Sequence, residues 1–382
     1  MKFIPLSRPE ITEKDKKAVL GVLNTPYLAL GPKLQEFENR IARYVGRKYA
    51  VAVNSGTSAL HLLIRSLEIE EGDEVITTPF SFIASANCIL FEDAKPVFVD
   101  IDSRTRNIDP EKIERAVTKR TKAILAVDVF GHPADWDAIL RIAKRHRLYV
   151  IEDSAEALGS SYKGEKCGSF GDAAVFSFYP NKQITMGEGG VLVTSNPKIF
   201  ELARSMRNQG RDEKLKTKGL KKGSYRSWLQ HVRLGYNYRI SDINCTLGIA
   251  QLRRLREIMK KRERVFQMYA RRLRGIPGIK LPYRAPGVRV SQFVYVIQLE
   301  DVYTKRDRDS IIEKLAKQGV QASNYFPCIH LQPFYRQSFG YREGSFPVAE
   351  HVSERTIALP FYNTLSSRDV DFVAKTFREI LS

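Results

Sequence analysis

The chain has 382 residues, 43% of them hydrophobic, and its 62 Lys and Arg against 43 Asp and Glu give a formal net charge of +19. This length predicts two domains with sizeable cores. No apolar run is long enough for a membrane-spanning helix, and the first ten residues lack the build of a signal peptide. The four cysteines lie far apart, without the spacing of a zinc site or a disulfide framework. These features predict a protein of the reducing cytoplasm.

The basic excess indicates an anionic partner, which could be a nucleic acid, a membrane surface or a phosphorylated substrate. Much of it lies in Gln251–Leu273, where apolar residues recur at helical spacing, so we expect a packed helix with a solvated basic face. The Lys-rich stretch Lys214–Ser227 contains Gly219 and Gly223 and is typical of a loop.

Strand-like and helix-like segments alternate over the first two-thirds of the chain, which predicts an α/β fold with a mostly parallel sheet and helices on both faces. From about residue 276 the pattern mixes strands and helices differently, and we place a domain boundary near residue 250, between 1–250 and 251–382. The expected strands are Tyr49–Asn54, Asp73–Thr78, Pro96–Ile101, Ala123–Val129, Leu148–Glu152, Ala173–Phe178, Gly190–Thr194 and Phe293–Leu299, and the expected helices include Ile83–Leu90, Pro110–Val117, Ala134–His146, Asp309–Gln318 and Asp369–Leu381.

Small and polar residues follow several of these strands, at the sheet edge where open parallel sheets bind ligands. Ser55–Ser58 lies between a strand and a helix, where backbone N–H groups suit a phosphate and Gly56 allows close approach. The same residues are also ordinary helix caps. Asp153 ends another strand, where it could cap the next helix or bind a positive group of a ligand, such as the pyridine nitrogen of pyridoxal phosphate (PLP).

Lys182 lies between two strands that the sequence predicts to be buried, where a lysine is costly unless it has a function. A lysine whose amine is activated by its surroundings can form an imine with an aldehyde. The alternative is a surface lysine in a turn.

Ten motifs in order give the chain a resemblance to the sugar aminotransferases of the DegT/DnrJ/EryC1/StrS family, which are PLP enzymes of fold type I. That resemblance implies a large domain with a mostly parallel sheet flanked by helices and a smaller C-terminal α/β domain. The motifs are Gly31–Lys33, Asn54–Leu60, Thr78–Phe82, Glu152–Ser154, Phe176–Lys182, Gly187–Gly190, Arg207–Gly210, Gly235–Arg239, His330–Pro333 and Leu359–Pro360.

The resemblance also implies roles for single residues. Lys182 matches the lysine that holds the cofactor as an imine and shuttles protons, Asp153 matches the acid that pairs with the pyridine nitrogen, and Phe82 matches the aromatic that stacks on the ring. The remaining matches are Gly56, Thr57 and Ser177 at the cofactor phosphate, Asn237 at the phosphate of the neighbouring subunit's cofactor, and Tyr325 and His330 at the substrate. The match of Asn237 implies a homodimer with composite active sites.

Two positions depart from the family pattern. Glu156 stands where Gln or His is usual, which places a second carboxylate near the cofactor ring. Met186 stands where Thr is usual before Gly187–Gly190. Neither change removes Lys182 or Asp153, so catalysis should survive.

The resemblance predicts transfer of an amino group from glutamate to a keto sugar linked to a nucleotide, in surface-glycan or related amino-sugar biosynthesis. The stretch Gln183–Gly190 is similar to that of relatives acting on 4-keto sugars, which favours C4 over C3. Three alternatives stay open. A sugar dehydratase of this fold usually carries histidine in place of Lys182, and a synthase of an aromatic amine precursor would share the cofactor residues. A DNA-binding regulator would suit the charge, but the sequence lacks helix-turn-helix, zinc and single-strand-binding motifs.

Overall fold

A seven-stranded sheet forms the centre of the computed structural model, which describes residues 3–211 and 230–381. The Lys-rich stretch Lys214–Ser227 lies outside the described residues. The strands are β1 Tyr49–Val53, β2 Glu74–Thr77, β3 Lys95–Phe98, β4 Thr121–Val127, β5 Tyr149–Asp153, β6 Ser161–Tyr162, β7 Glu165–Lys166, β8 Ala173–Ser177, β9 Gly190–Thr194, β10 Ile279–Lys280, β11 Val288–Arg289, β12 Tyr295–Leu299 and β13 Thr356–Leu359.

The central sheet runs in the order β1-β9-β8-β5-β4-β2-β3. Its neighbours pair in parallel except at β9, which is antiparallel to both β1 and β8. Apolar residues alternate between its two faces, as the two-residue period of a strand requires. Val51 and Val53 of β1 face one core, whereas Ala50 and Ala52 face another. The prediction of a mostly parallel sheet with helices on both faces is therefore confirmed.

Thirteen α-helices occur in the described part of the chain. They are α1 Glu13–Leu23, α2 Pro32–Val45, α3 Gly56–Ser66, α4 Ala84–Leu90, α5 Pro110–Ala116, α6 Trp136–His146, α7 Pro197–Arg207, α8 Asp242–Arg253, α9 Leu255–Leu273, α10 Lys305–Lys317, α11 Pro333–Phe339, α12 Pro347–Arg355 and α13 Ser367–Leu381. None of these described helices is long and apolar enough to cross a bilayer.

The C-terminal part has its own three-stranded sheet, in the order β10-β12-β13, and a separate core built with α9, α10 and α13. Ile4, near the N-terminus, is buried in this second core and pairs with Val320. The N-terminal segment is thus anchored on the C-terminal part of the chain. The domain boundary near residue 250 stays a prediction.

The basic stretch Gln251–Leu273 is not one helix, as predicted, but the end of α8 followed by α9. The break falls at Arg254, whose backbone leaves the helical region and whose guanidinium donates to Glu10 O and Asp15 Oδ2. The expected solvated face is also incomplete, because Arg262 of α9 is buried. Its Nε, Nη1 and Nη2 donate to three oxygens.

Candidate active site

A cavity of about 530 Å³ opens beyond the carboxyl ends of β1, β5 and β8. The parallel pairing of β5 and β8 brings their ends to one edge of the sheet, where ligands bind in folds of this kind. Eight of the predicted site residues line this cavity. They are Gly56, Thr57, Phe82, Asp153, Glu156, Ser177, Lys182 and Tyr325.

Helix α3 begins at this edge and points its N-terminus into the cavity wall. Ser55 caps the helix by accepting the N–H of Ser58, so the N–H groups of Gly56 and Thr57 precede the helix's own hydrogen-bond ladder. A Cβ on Gly56 would lie 3.0 Å from the Cβ of Ser177, so only glycine lets the helix start this close to the end of β8. Backbone donors, a helix dipole and the nearby Ser177 hydroxyl together suit a phosphate.

Asp153 is the last residue of β5 and is buried at the floor of the cavity. Its Oδ2 accepts a 2.8 Å hydrogen bond from the Ser85 hydroxyl, and its Oδ1 accepts the N–H of Ala155. Burial raises the pKa of Asp153, while these hydrogen bonds and the charge of Lys182 oppose the rise. A buried carboxylate with this environment is suited to hold a cationic N–H of a ligand.

Lys182 lies in the turn between β8 and β9, and only 13% of its side chain is exposed. Its Nζ is 3.4 Å from Glu156 Oε1 and 4.1 Å from the centre of the Phe293 ring. The amine therefore sits inside the cavity, held between a carboxylate and an aromatic face. A solvated lysine in a surface turn, which was the alternative interpretation of Lys182, would not have these contacts.

Glu156 is buried beside Lys182 and is anchored from the other side. Its Oε2 accepts a 2.9 Å hydrogen bond from the N–H of Phe130, which directs Oε1 towards the amine. Burial raises the pKa of Glu156, and the positive charge of Lys182 counteracts that rise. The departure from the family pattern at this position thus gives the Lys182 amine an ionic partner.

Two large aromatic side chains are exposed where the cavity opens. Phe82 is 62% exposed and Tyr179 is 50% exposed, and both line the cavity. Large apolar groups in this state commonly mark surfaces that bind a ligand or another chain.

Two predicted residues are not among those lining the cavity. Asn237 is exposed, in a segment that pairs with Asn208 after α7. His330 is completely buried in a short 3₁₀ turn, with Nε2 3.0 Å from Glu350 Oε1 and its ring against Phe346. The prediction that His330 touches the substrate is not supported by this placement, since no atom of its ring is accessible from the cavity.

Met186, the second departure from the family pattern, is also buried away from the cavity. It is 1% exposed and packs in the core with Phe178, Ile240 and Ile249, close to Gly248 of α8. Exchange of the usual Thr for Met therefore changes the packing behind the turn and leaves the cavity wall unaltered.

Several cavity residues lay outside the predicted set. Ser85, in the first turn of α4, positions Asp153, and Phe293 lies below the Lys182 amine. Asn324 and Phe326 flank Tyr325 in the wall formed by the C-terminal part. Ser85 follows a strand by one short loop, so the strand-end rule could have included it. Phe293 carries no comparable signal, because it approaches from a distant part of the chain.

Asp128, Glu152 and Cys167 form a buried group whose ligand atoms lie close enough together to hold a metal ion. The Ser154 hydroxyl lies 2.6 Å from Asp128 Oδ2 and 2.7 Å from Glu152 Oε1, and backbone N–H groups of Gly168 and Phe170 donate to Glu152. Hydrogen bonds from protein groups thus satisfy these carboxylates, and we interpret the cluster as a hydrogen-bond network beneath the sheet edge.

Comparison with known proteins gives the family of the chain. Residues 9–378 match the DegT/DnrJ/EryC1/StrS aminotransferase family. The spore coat polysaccharide biosynthesis protein SpsC of Bacillus subtilis is 39% identical over 381 residues, which cover 99% of this chain and 97% of SpsC. The GDP-perosamine synthase of Caulobacter vibrioides is 36% identical over 381 residues, covering 99% and 98% of the two chains.

A solved structure agrees with the sequence relatives. Spr1654 of Streptococcus pneumoniae, named as a sugar aminotransferase and solved in a PLP form, superposes with a TM-score of 0.92 at 29% identity, over 99% of this chain and 98% of Spr1654. The same protein is also known in a pyridoxamine phosphate (PMP) form. With this fold, the cavity at the strand ends and the family match over nearly its whole length, the chain is an enzyme that belongs to the DegT/DnrJ/EryC1/StrS aminotransferase family.

Proposed function

We propose that this protein binds PLP through Lys182 and transfers an amino group from glutamate to the ketone of a nucleotide-linked sugar. The observation that carries the proposal is the Lys182 amine, held inside the cavity 3.4 Å from Glu156 and facing the same space as Asp153 and the N-terminus of α3. The PLP and PMP forms of Spr1654 support this choice of cofactor.

The donor set of the cavity fits such a cofactor. Gly56, Thr57 and Ser177 offer backbone and hydroxyl donors for its phosphate, and Asp153 offers a buried carboxylate for its ring nitrogen. Phe82 supplies an exposed aromatic face for the ring itself. The cofactor, when bound, withdraws electrons from the carbon that carries the amine.

The protein's own groups then perform the proton transfers. Lys182 can remove the proton from that carbon and return it, because a lysine amine next to the reacting carbon is a general base and acid within reach. Glu156 holds the free amine in place through the 3.4 Å contact. Tyr325 projects from the C-terminal part of the chain into the same cavity, where we assign it to substrate contact.

The sugar substrate is proposed from the relatives and from charge. GDP-perosamine synthase is named for a nucleotide-linked amino sugar, and SpsC for polysaccharide biosynthesis. The net charge of +19 favours association with a diphosphate-bearing substrate. We place the enzyme in surface-glycan or related amino-sugar synthesis. The four cysteines are free and buried, which suits the cytoplasm that we propose as its location.

We expect the new amine at C4 of the hexose, because Gln183–Gly190 beside Lys182 is similar to the turn of relatives that act on 4-keto sugars. The test offers matched 4-keto and 3-keto nucleotide sugars with glutamate and locates the amine by NMR. Glutamine and alanine as donors are the control for the glutamate assignment. An amine found only at C3 would contradict the C4 prediction, and no transfer to any sugar nucleotide would contradict the function.

We also propose that the active unit is a homodimer in which Asn237 completes the neighbouring subunit's phosphate site. In support, Asn237 is exposed and absent from its own subunit's cavity wall, and Phe82 and Tyr179 of that wall have large exposed aromatic surfaces that a second subunit could cover. Mixed dimers test this geometry. In a hybrid of Lys182→Ala and Asn237→Asp subunits, one of the two sites keeps both native residues.

Co-expression of these two variants is therefore expected to restore about a quarter of the wild-type activity, because about half of the dimers are hybrids with one intact site. Each variant alone should have far lower activity, since Asn237→Asp places a negative charge beside a phosphate. Sedimentation of both variants as dimers is the control. Failure of the mixture to exceed its parents would show that Asn237 acts within its own subunit or at no site.

A further inference from the structure

Arg106 is a deeply buried arginine outside the candidate active site, and its guanidinium has few partners. It lies in the turn between Asp102 and Asn107 and is 7% exposed. Its Nη1 donates to Val296 O over a long 3.4 Å, and its Cζ lies 5.6 Å from the centre of the Phe130 ring. Its Nε–H has no hydrogen-bond partner within residues 3–211 and 230–381.

The other deeply buried arginines have better partners. Arg207 pairs with the carboxylate of Glu38, and Arg308 pairs with that of Asp309. Arg262 has no carboxylate but donates to the backbone oxygens of Gln292 and Phe293 and to Asn363 Oδ1. Within the described chain, Arg106 has neither a carboxylate nor a comparable set of oxygens. Burial of a cation with so few partners destabilises the folded protein unless an anion binds beside it.

Arg106 also lines a small cavity, here called the Arg106 cavity, between the loops that follow β3 and β4 and the segment 282–296. Its volume is about 30 Å³. On the same measure a water molecule needs about 10–15 Å³, so the space suits about two waters or one monatomic anion.

The other charged groups around the Arg106 cavity leave it positive. Arg104, over the ring of Tyr283 at 5.4 Å, adds a second cation to the wall. Arg284 is held by Glu263, and Asp102 is engaged by the N–H groups of Arg104 and Thr105.

His132, which also lines the cavity, contributes no charge. Its Nδ1–H donates to Pro133 O, which leaves Nε2 to accept the N–H of Ala285, and burial lowers its pKa. Among the described residues, no carboxylate lines the Arg106 cavity, so its wall offers no negative group to neutralise the guanidinium of Arg106.

We propose that the Arg106 cavity binds a chloride ion, which neutralises the guanidinium of Arg106. The ion would tie the turn that contains Arg106 to the segment 282–296 on the opposite wall. This site is separate from the aminotransferase chemistry and does not depend on the proposed function.

The first test compares unfolding temperatures in sodium chloride and in sodium gluconate at equal ionic strength. Chloride should raise the unfolding temperature of the wild type by about 1–3 °C, because a ligand that binds the folded state stabilises it. The rise should disappear in Arg106→Met and persist in Arg43→Met, which removes the same charge at an exposed position. The same chloride effect in wild type and Arg106→Met would overturn the proposal.

A second test needs no variant and so remains decisive if Arg106→Met does not fold. Wild-type crystals soaked in sodium bromide should show an anomalous scattering peak in the Arg106 cavity, within hydrogen-bond distance of the Arg106 guanidinium. Density without anomalous signal at that position would mean that water alone fills the cavity, and the proposal would be wrong. A bromide peak only at other surface positions would have the same consequence.

Discussion

Replacing Lys182 with alanine is expected to lower the transamination rate by about 10³-fold or more, since the variant loses both the covalent anchor of the cofactor and the base that moves the proton. The variant should also lose the visible absorbance that a lysine-bound PLP gives. The geometry makes Lys182 the expected residue, because its amine is inside the cavity and its side chain is only 13% exposed. Rates of both half-reactions and an absorbance spectrum measure the effect.

A matched control separates chemistry from folding. Lys198→Ala removes a lysine that pairs with Glu68 at the surface, and it should leave spectrum and rate near the wild type. Added small primary amines should partly restore the rate of Lys182→Ala, because they can enter the space left by the side chain and take up the proton. Normal turnover in Lys182→Ala would refute the assignment. A circular dichroism spectrum of the variant shows whether it is folded, so that a missing rescue by amines is not confused with unfolding.

Much of the candidate site could be predicted because it follows the edge of a parallel sheet. Asp153 and Ser177 end neighbouring parallel strands, with Asp153 opposite Val175, so the residues that follow such strands meet at one edge. The turn after β8 then has to place Lys182 at the same edge, since β9 returns antiparallel beside β8. Strand periodicity therefore predicts where this part of the site lies, whereas the roles of its residues depend on the family resemblance.

The remaining contacts depend on tertiary packing that no local pattern encodes. Phe293 contacts the Lys182 amine from more than a hundred residues further along the chain, and its position depends on how the C-terminal part packs against the sheet. His330 belongs to a motif that resembles the family's substrate-contacting segment, yet its ring is turned into an aromatic core and bound to Glu350. A motif identifies the family, but it does not determine which way a side chain points.

The helix break at Arg254 has the same origin. The apolar spacing continues through Gln251–Leu273 without interruption, so periodicity predicts one helix. The interruption arises because Arg254 turns to satisfy Asp15 and Glu10 of the N-terminal segment. Contacts with the N-terminal segment therefore override local helix preference at that residue.

Asp153→Asn is expected to keep the fold and the bound cofactor but to slow proton removal from glutamate by about 10²–10⁴-fold. The amide has nearly the same size; its oxygen can still accept the N–H of Ala155, and its NH2 group can donate to the Ser85 hydroxyl, so the packing of the buried side chain is preserved. It carries no charge, however, and cannot hold a cationic ring N–H. Loss of one partner from a buried ion pair costs about 3–5 kcal/mol, which corresponds to that range of rates.

The measurement is a single-turnover reaction with glutamate and with glutamate deuterated at Cα. In Asp153→Asn the isotope effect should increase, because proton removal becomes the slow step when the electron sink is weakened. Ser85→Ala is the matched control: it removes one hydrogen bond to Asp153 and leaves the carboxylate, so its rate should fall by about tenfold or less. If Asp153→Asn reacted as fast as the wild type with an unchanged isotope effect, Asp153 would not be the partner of the ring nitrogen.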